Sequence, residues 1–223
     1  MKSEEWNPGR LLAISGSYWQ GCTLHAAVKL GLFTAIDNKR LSSDEVAKEL
    51  NSDSRATTLL LNALAAMHLL AKEGNKYSNT PASTDFLCKD SPKYVGYMIL
   101  HHHYLMDSWS RLDEAVKTGR PVRTRASQGD EARRESFLMG MFNMAMNLAP
   151  RIVEQLDLSG RKHLLDLGGG PGTYAVHFCL NNPGLRATVY DLPTTEPFAE
   201  KTIEKFGLSD RIAFMPGDYV DGP

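Results

Sequence analysis

The chain has 223 residues, of which 42% are hydrophobic, and its formal net charge is −1 at neutral pH. A chain of this length can bury one large hydrophobic core or two modest ones. The small net charge argues against a broad nucleic-acid-binding surface, which is typically strongly basic. No apolar run reaches the length needed to span a membrane, and the acidic N-terminus does not match a signal peptide.

Three cysteines, Cys22, Cys88 and Cys179, lie far apart in the sequence and show no paired spacing. Paired spacings are typical of disulfide frameworks and zinc sites. We therefore expect reduced thiols, no metal site, and a cytoplasmic protein that does not associate with membranes.

Residues 1–90 show the pattern of a winged-helix dimerisation domain. Ser42 and Glu45 have capping-box spacing at the start of a short helix. A longer apolar helix is predicted over 56–70, and short strands on either side of a turn at 73–75 predict a hairpin. Helix, turn, helix and hairpin in this order are typical of a winged-helix module.

Residues 91–158 are predicted to form a helical linker together with helices that line a pocket. Pro92 favours the first turn of a long helix that ends at Gly119. A second helix carries a methionine-rich apolar stripe at steps of three and four residues. Pro150 is expected to begin a further short helix.

From residue 159 to residue 223 the pattern changes to alternating strands and helices. Strands are predicted over 163–167, 186–191 and 211–215, the first of them buried, with a helix after each of the first two. This order predicts a parallel, doubly wound sheet. The predicted fold class is therefore a mostly α winged-helix domain followed by an α/β Rossmann-like domain with about three strands.

A glycine-rich loop follows the first of these strands, in the segment Asp166-Leu167-Gly168-Gly169-Gly170-Pro171-Gly172. Glycine lets the backbone turn sharply and approach a ligand closely, and the following helix offers unpaired N–H groups. Enzymes that bind nicotinamide dinucleotides use a similar loop, but the third glycine of their pattern would fall at Thr173. The carboxylate of Asp166 is placed to recognise the cationic amino-acid end of a ligand. This favours a nucleoside that carries an amino acid over a dinucleotide.

Two further carboxylates follow the other predicted strands. Asp191 ends the second strand and precedes Leu192, where a carboxylate can accept both ribose hydroxyls of a nucleoside. Asp218, just after the third strand, is placed to accept from an adenine amino group, while Tyr219 packs on the ring. Because parallel strands end at one edge of a sheet, the three motifs predict one S-adenosylmethionine site, with a dinucleotide site as the alternative.

These motifs resemble those of the class I O-methyltransferases of the acetylserotonin and caffeic acid type. The resemblance rests on Asp-Leu-Gly-Gly-Gly-Pro-Gly, Tyr-Asp-Leu-Pro and Gly-Asp-Tyr, and the winged-helix module extends it over nearly the whole chain. It implies methyl transfer from S-adenosylmethionine to a hydroxyl of a small, aromatic molecule, with S-adenosylhomocysteine as the product. It also implies a homodimer formed through the N-terminal domain.

The resemblance implies roles for individual residues as well. Gly168 and Gly170 would line the methionine end of the cofactor, and Asp191 would hold its ribose. Phe137 and Met141 match a Phe-x-x-x-Met pattern that lines the acceptor pocket in the family. The residues implied to bind the cofactor are Asp166, Gly168, Gly170, Asp191, Leu192, Asp218 and Tyr219.

The chain departs from the family pattern at its C-terminal end. The family has a seven-stranded sheet and a catalytic histidine well beyond the third strand, so we expect the catalytic base beyond Pro223. A sheet that ended here would leave what should be its central strand as a bare, apolar edge, so we expect an incomplete chain, with cover from another element as the alternative. A non-catalytic protein that binds the cofactor and dimerises is the alternative.

Two other features have simpler interpretations. His101, His102 and His103 are adjacent on a predicted helix and point in different directions, so they do not form a metal site. His102 or His103 is a less favoured replacement for the catalytic base. A DNA-binding winged-helix regulator is the remaining alternative, but its recognition helix over 55–64 would be apolar and poor in basic residues, so we expect no nucleic-acid partner.

Overall fold

The computed structural model of the chain describes residues 6–122 and 130–220. It divides into two compact units, with the boundary between His103 and Tyr104, and each unit has a hydrophobic core of its own. Among the described helices, none combines the length and the apolar composition that crossing a membrane requires.

The first unit consists of helices and a small antiparallel sheet. Its helices are α1 (Pro8–Gly16), α2 (Tyr18–Lys29), α3 (Leu32–Ile36), α4 (Ser43–Glu49), α5 (Ser54–Ala66) and α6 (Pro81–Leu87), together with the first part of α7 (Gly96–Trp109), the helix in which the boundary between the units falls. Its strands are β1 (Leu41–Ser42), β2 (Leu70–Glu73) and β3 (Lys76–Asn79). The sheet has the strand order β1-β3-β2. Helices α4 and α5 followed by the hairpin β2–β3 confirm the predicted winged-helix order.

Capping residues begin α4 and α5 where the sequence places them. The N–H of Glu45 donates to Ser42 Oγ at 3.3 Å, and the Glu45 carboxylate accepts from the N–H of Ser42 at 2.7 Å. This reciprocal pair is the predicted capping box. The carboxylate of Asp53 accepts from the N–H of Ala56 at 2.8 Å and caps α5 in the same way.

The long helix predicted from Pro92 to Gly119 is wrong in both bounds. Helix α7 begins at Gly96 and ends at Trp109, and a separate helix α8 (Leu112–Thr118) follows it. The late start has a tertiary cause, because the N–H of Val95 donates to the carbonyl of Phe86 at 2.9 Å and holds the preceding segment against α6. Proline at a helix start is a local preference, which such a contact can override.

The second unit combines further helices with a parallel sheet. Besides α8, its helices are α9 (Glu131–Val153), α10 (Thr173–Asn181) and α11 (Glu196–Lys205). Its strands are β4 (His163–Leu167), β5 (Arg186–Asp191) and β6 (Ile212–Pro216), which lie side by side in this order. Helices α10 and α11 contribute Val176 and Ile203 to one core with Val189 of β5. The predicted parallel α/β arrangement is confirmed.

Pro150 lies inside α9 and does not begin a new helix, so that prediction is wrong. A proline inside a helix removes one backbone hydrogen bond. Ala149 and Val153, on either side of it, are 0% and 3% exposed. The buried face of α9 therefore continues across the proline, and this packing outweighs the missing hydrogen bond.

Strand β4 is half-exposed, not fully buried as predicted, and its described neighbour in the sheet is β5. Leu165 and Leu167 are 55% and 58% exposed, while Leu164 packs against the core that α10 and α11 form with the sheet. Side chains alternate along a strand, so one face of β4 is covered and the other is open. The open face of β4 is apolar, since it carries Leu165 and Leu167.

Arg211, just before β6, connects the ends of several elements. Its guanidinium donates to the carbonyls of Cys179, Asn182 and Leu185 at distances of 2.6 to 2.8 Å. These carbonyls lie at the C-terminal end of α10 and in the turn before β5, where a cation is favoured by the helix dipole. The arginine thereby fixes α10 on the sheet, and with it the start of α10 at the glycine loop.

His25 on α2 is a buried titratable side chain of the first unit. It is 9% exposed, and its ring centroid lies 5.8 Å from that of His103, whose Nε2 is 3.0 Å from Lys29 Nζ. Burial, and then the nearby charges of His103 and His102, lower the pKa of His25 below its ordinary value. The folded chain therefore binds a proton at this side chain less readily than the unfolded chain does.

We predict that His25 makes the stability of the chain fall on acidification. As the pH drops from about 6.5 towards the lowered pKa, the unfolded chain takes up a proton that the folded chain does not, and the free energy of unfolding decreases by at most about 1.4 kcal/mol per pH unit. His25→Gln should flatten this dependence, measured as the urea midpoint between pH 5 and pH 8. The control is His68→Asn, which removes an exposed imidazole at a positive φ that asparagine tolerates. An unchanged pH dependence in His25→Gln would contradict the prediction.

Candidate functional site

The carboxyl ends of β4, β5 and β6 meet at one edge of the sheet, and each continues into one of the predicted motifs. The N–H of Gly168 donates to the carbonyl of Tyr190 at 2.8 Å, and the N–H of Gly217 donates to the carbonyl of Asp191 at 2.9 Å. These two backbone bonds attach the loops after β4 and β6 to the end of β5. The motifs that are separate in the sequence are therefore adjacent in space.

A cavity of about 600 Å³ opens at this edge of the sheet. Its volume lies within the range of small-molecule sites. One wall is an apolar stripe of α9, formed by Phe137, Leu138, Met141, Met144, Ala145 and Leu148. The strand ends and their loops form the polar wall. All nine residues that the sequence singled out for the cofactor and the acceptor line this cavity.

The glycine loop has a backbone that most residues would not adopt. Gly168 and Gly170 have φ angles of +68° and +55°, in the region that glycine populates without steric cost. A Cβ atom at Gly168 would lie 3.4 Å from the ring of Tyr219. This is an ordinary van der Waals distance, so the tyrosine of the third motif lies against the loop of the first, and the positive φ is what requires glycine at this position.

The carboxylate of Asp191 lies between the glycine loop and the start of α11. Its Oδ2 accepts from the N–H of Gly170 at 2.7 Å. Its Oδ1 accepts from the N–H of Leu192 at 2.7 Å and from the hydroxyl of Thr195 at 3.2 Å. This network fixes the side chain at the centre of the polar wall.

Asp166 caps helix α10 from the preceding strand. The N-cap residue, Gly172, has no side chain to offer, and Asp166 Oδ2 accepts from the N–H of Ala175 at 3.2 Å. Burial raises the pKa of Asp166, the hydrogen bond from Ala175 opposes this shift, and the negative charge of Asp191 adds to it. The carboxylate is thus held in a place where its charge is costly unless a cation lies nearby.

Asp218 and Tyr219 close the polar wall on the side of β6. Asp218 Oδ1 accepts from the N–H of Val220 at 3.0 Å, which orients the carboxylate within its own turn. Tyr219 is 58% exposed, so its ring presents a large surface to a ligand in the cavity. An exposed aromatic ring next to a hydrogen-bond acceptor suits a planar heterocycle.

The charge of the cavity wall distinguishes between the two ligands considered from the sequence. Three carboxylates line it, and among the described residues no lysine, arginine or histidine does. A dinucleotide places its pyrophosphate at the helix N-terminus after the glycine loop. Here the carboxylate of Asp166 takes that position at α10. The electrostatics therefore favour a cationic ligand over an anionic one.

Thr195 is a residue of the site that the sequence did not reveal. It lies four residues after Asp191, at the start of α11, and its side chain is fully buried at the cavity wall. A threonine before a helix ordinarily indicates an N-cap, so its sequence position gives no sign of a second role.

Comparison with protein families gives two matches along the chain. A family model described as an O-methyltransferase dimerisation domain matches residues 12–89, and one described as an O-methyltransferase domain matches residues 109–223. The second match covers more than half of the chain.

Curated relatives and solved structures agree with these matches. The 3-hydroxy-5-methyl-1-naphthoate 3-O-methyltransferase of Streptomyces sahachiroi is 31% identical over 97% of this chain and 64% of its own length. The N,N-dimethyltransferase OxyT of Streptomyces rimosus is 31% identical over 96% of this chain and 65% of its own length. Human N-acetylserotonin methyltransferase, solved in complex with SAM, is 27% identical with a TM-score of 0.77, covering 98% of this chain and 68% of that structure. The chain thus spans slightly less than two thirds of the two curated relatives.

We predict that Asp166→Asn stabilises the ligand-free chain. The amide oxygen can still accept from the N–H of Ala175, while the buried charge is removed. Because the native pKa of Asp166 is raised above its value in the unfolded chain, the ionised carboxylate lowers stability above that native pKa, and protonation relieves the penalty as the pH falls through it. The melting temperature of the variant should exceed that of the wild type at pH 7, by a margin that shrinks on acidification. A lower melting temperature at pH 7 would mean that the charge contributes more to capping α10 than its burial costs.

Proposed function

Because the chain belongs to the O-methyltransferase family, we propose that the protein transfers a methyl group from S-adenosylmethionine to a hydroxyl group of a small, aromatic molecule. S-adenosylhomocysteine would be the product. The observation that carries the proposal is the single cavity in which the glycine loop, Asp191 and the Asp218–Tyr219 pair face one another. The methyltransferase solved with SAM shares this fold and supports the choice of cofactor.

The residues of the polar wall fit S-adenosylmethionine by charge and shape. The cofactor has a cationic amino-acid end, a sulfonium, a ribose and an adenine. We assign the amino-acid end to Gly168, Gly170 and the half-buried carboxylate of Asp166, whose raised pKa a nearby cation would lower again. Asp191 and Leu192 would hold the ribose. Asp218 and Tyr219 would flank the adenine, since both line the cavity on the side of β6.

The chain's own contribution to methyl transfer is alignment within an apolar space. When bound, the cofactor supplies a methyl group made electrophilic by the positive charge on sulfur. The apolar stripe of α9 excludes water on the opposite side of the cavity and offers a flat surface to an aromatic acceptor. We assign Phe137 and Met141 to this acceptor wall. Because no described histidine or lysine lines the cavity, we assign removal of the acceptor's proton to a residue outside this wall.

The acceptor atom is proposed from the family description and from the naphthoate O-methyltransferase. OxyT, at the same identity, is named for transfer to nitrogen. Assays of the protein should therefore offer phenols and aromatic amines in parallel. Methylation of phenols is the expected result.

We further propose that the protein is a homodimer formed through its first unit. The matching family model is a dimerisation domain. Helix α1 has no buried residue, and Leu11, Leu12 and Ile14 are 56%, 71% and 57% exposed. Trp19 on α2 is 65% exposed. A concentration of large apolar side chains on one segment is typical of an interaction surface.

The proposed location is the cytoplasm, since the three cysteines are free, as a reducing compartment would keep them. We propose no nucleic-acid partner. Helix α5, which would have to read a DNA groove, has Arg55 as its single basic residue and exposes the apolar side chain of Leu59.

We predict that Asp191→Ala weakens binding of S-adenosylhomocysteine by about tenfold to a hundredfold, because a charged acceptor for the ribose is lost. Isothermal titration calorimetry on the chain measures the effect. The control is Asp210→Ala, which removes an exposed carboxylate of the same unit that does not line the cavity and should leave the affinity unchanged. Equal affinities of the wild type and Asp191→Ala, or no binding to the wild type, would refute the proposed site.

We also predict that light scattering gives twice the mass of the chain at micromolar concentration. Introducing charge into one face of α1, with Leu11→Glu and Ile14→Glu together, should yield the monomer, because these positions are three residues apart on the helix and a dimer formed through that face would have to bury both charges. Val116→Glu is the control, since this side chain is 76% exposed on α8, in the second unit. A wild-type monomer would contradict the proposed dimer.

A further inference from the structure

Thr195 combines two properties that its position in the sequence does not require. Its side chain is 0% exposed, and its hydroxyl donates to Asp191 Oδ1 at 3.2 Å. Buried hydroxyl groups almost always have a partner, and here the partner is the carboxylate at the centre of the polar wall. The hydroxyl therefore interacts with the site although it is not itself exposed to a ligand.

The local backbone explains why this hydroxyl points towards Asp191 and not towards its own helix. Thr195 is the N-cap residue of α11, but its side chain makes no capping hydrogen bond. It ends a 3-10 turn that starts at Pro193, and its N–H donates to the carbonyl of Leu192 at 2.8 Å. Pro197 follows within the first turn of α11. The prolines fix φ on both sides of Thr195 and restrict the chain to this conformation.

The hydrogen bonds to Asp191 define how its carboxylate can meet a ligand. An ionised carboxylate has about four acceptor positions, two on each oxygen. On Oδ1 both are taken, by the N–H of Leu192 and the hydroxyl of Thr195, while on Oδ2 the N–H of Gly170 takes one. One position on Oδ2 remains for a ribose hydroxyl. A second ribose hydroxyl would have to share Oδ1 with the two protein donors.

We propose that Thr195 is a positioning residue for nucleoside binding, an inference that rests on the proposed function. The N–H groups of Gly170 and Leu192 each donate to one oxygen of the Asp191 carboxylate. The hydroxyl of Thr195 donates the third hydrogen bond, from the buried side. It fixes the rotation of the carboxylate about Cβ–Cγ, so that the open position on Oδ2 is directed into the cavity. Thr195 acts through Asp191 and does not touch the ligand.

The test is a double-mutant cycle on binding of S-adenosylhomocysteine to the full 223-residue chain, measured by calorimetry. Thr195→Val removes the hydroxyl at nearly constant shape and should weaken binding by about tenfold. Thr195→Ser keeps the hydroxyl and should retain the wild-type affinity. In an Asp191→Asn background, Thr195→Val should cause little further loss, because the charged acceptor on which it acts is absent.

Thr202→Val is the matched control. Thr202 is a buried threonine of the same helix, 4% exposed, whose hydroxyl donates to the carbonyl of Phe198 at 2.9 Å, and it does not line the cavity. Its substitution should leave the affinity unchanged. Melting curves show whether each variant is folded. If Thr195→Val does not fold, Thr195→Ala is the second variant that lacks the hydroxyl.

The outcomes separate this inference from the proposed function. If the wild type binds S-adenosylhomocysteine and Thr195→Val binds it equally well, the role of Thr195 is refuted and the proposed function stands. An equal loss in the wild-type and Asp191→Asn backgrounds would also refute it, since Thr195 would then act through the fold. If the wild type does not bind, the proposed function fails, and the inference fails with it.

Discussion

The candidate site depends on hydrogen bonds at the carboxyl end of β5. The carbonyls of Tyr190 and Asp191 accept from Gly168 and Gly217, in the loops after β4 and β6, and the carboxylate of Asp191 accepts from Gly170. Each bond connects the central strand to a neighbouring loop, so the three motifs form a single polar wall. A shift of this strand end would move the glycine loop, the carboxylate and the loop after β6 together. The geometry of the polar wall is therefore determined mainly by backbone hydrogen bonds, with Thr195 adding a side-chain hydrogen bond from the buried side.

The same wall shows a conflict between stability and binding. Asp166 is half-buried at the start of α10, where one hydrogen bond from Ala175 does not compensate for the loss of solvation, and its pKa is raised. An amide would satisfy the same donor without the charge. A carboxylate at this position is explained by a cationic ligand, which would make the charge favourable. It also takes the position at the helix N-terminus where a pyrophosphate would lie in a dinucleotide enzyme, so we propose that this one residue favours the cationic ligand and disfavours the dinucleotide.

Opposite the carboxylates, α9 provides an uninterrupted apolar wall. Its length results from packing, since Ala149 and Val153 are buried on either side of Pro150 and the helix continues through the proline. Phe137 and Met141 lie on the part of this helix that faces the cavity. A polar wall that recognises a charged donor and an apolar wall that excludes water together suit a transfer reaction whose catalysis relies on alignment.

The sequence by itself determined the features that are local. The capping box at Ser42, the glycine loop and the alternation of strands and helices each depend on residues within a few positions of one another, and so do the carboxylates at the strand ends. Tertiary structure alone decided the start of α7, the continuation of α9 through Pro150 and the half-exposure of β4, because contacts between distant segments outweighed local preferences. It also decided the direction of the Thr195 hydroxyl. The sequence identifies a threonine before a helix, but whether its hydroxyl caps that helix or reaches a carboxylate depends on how the strand end and the turn pack against each other.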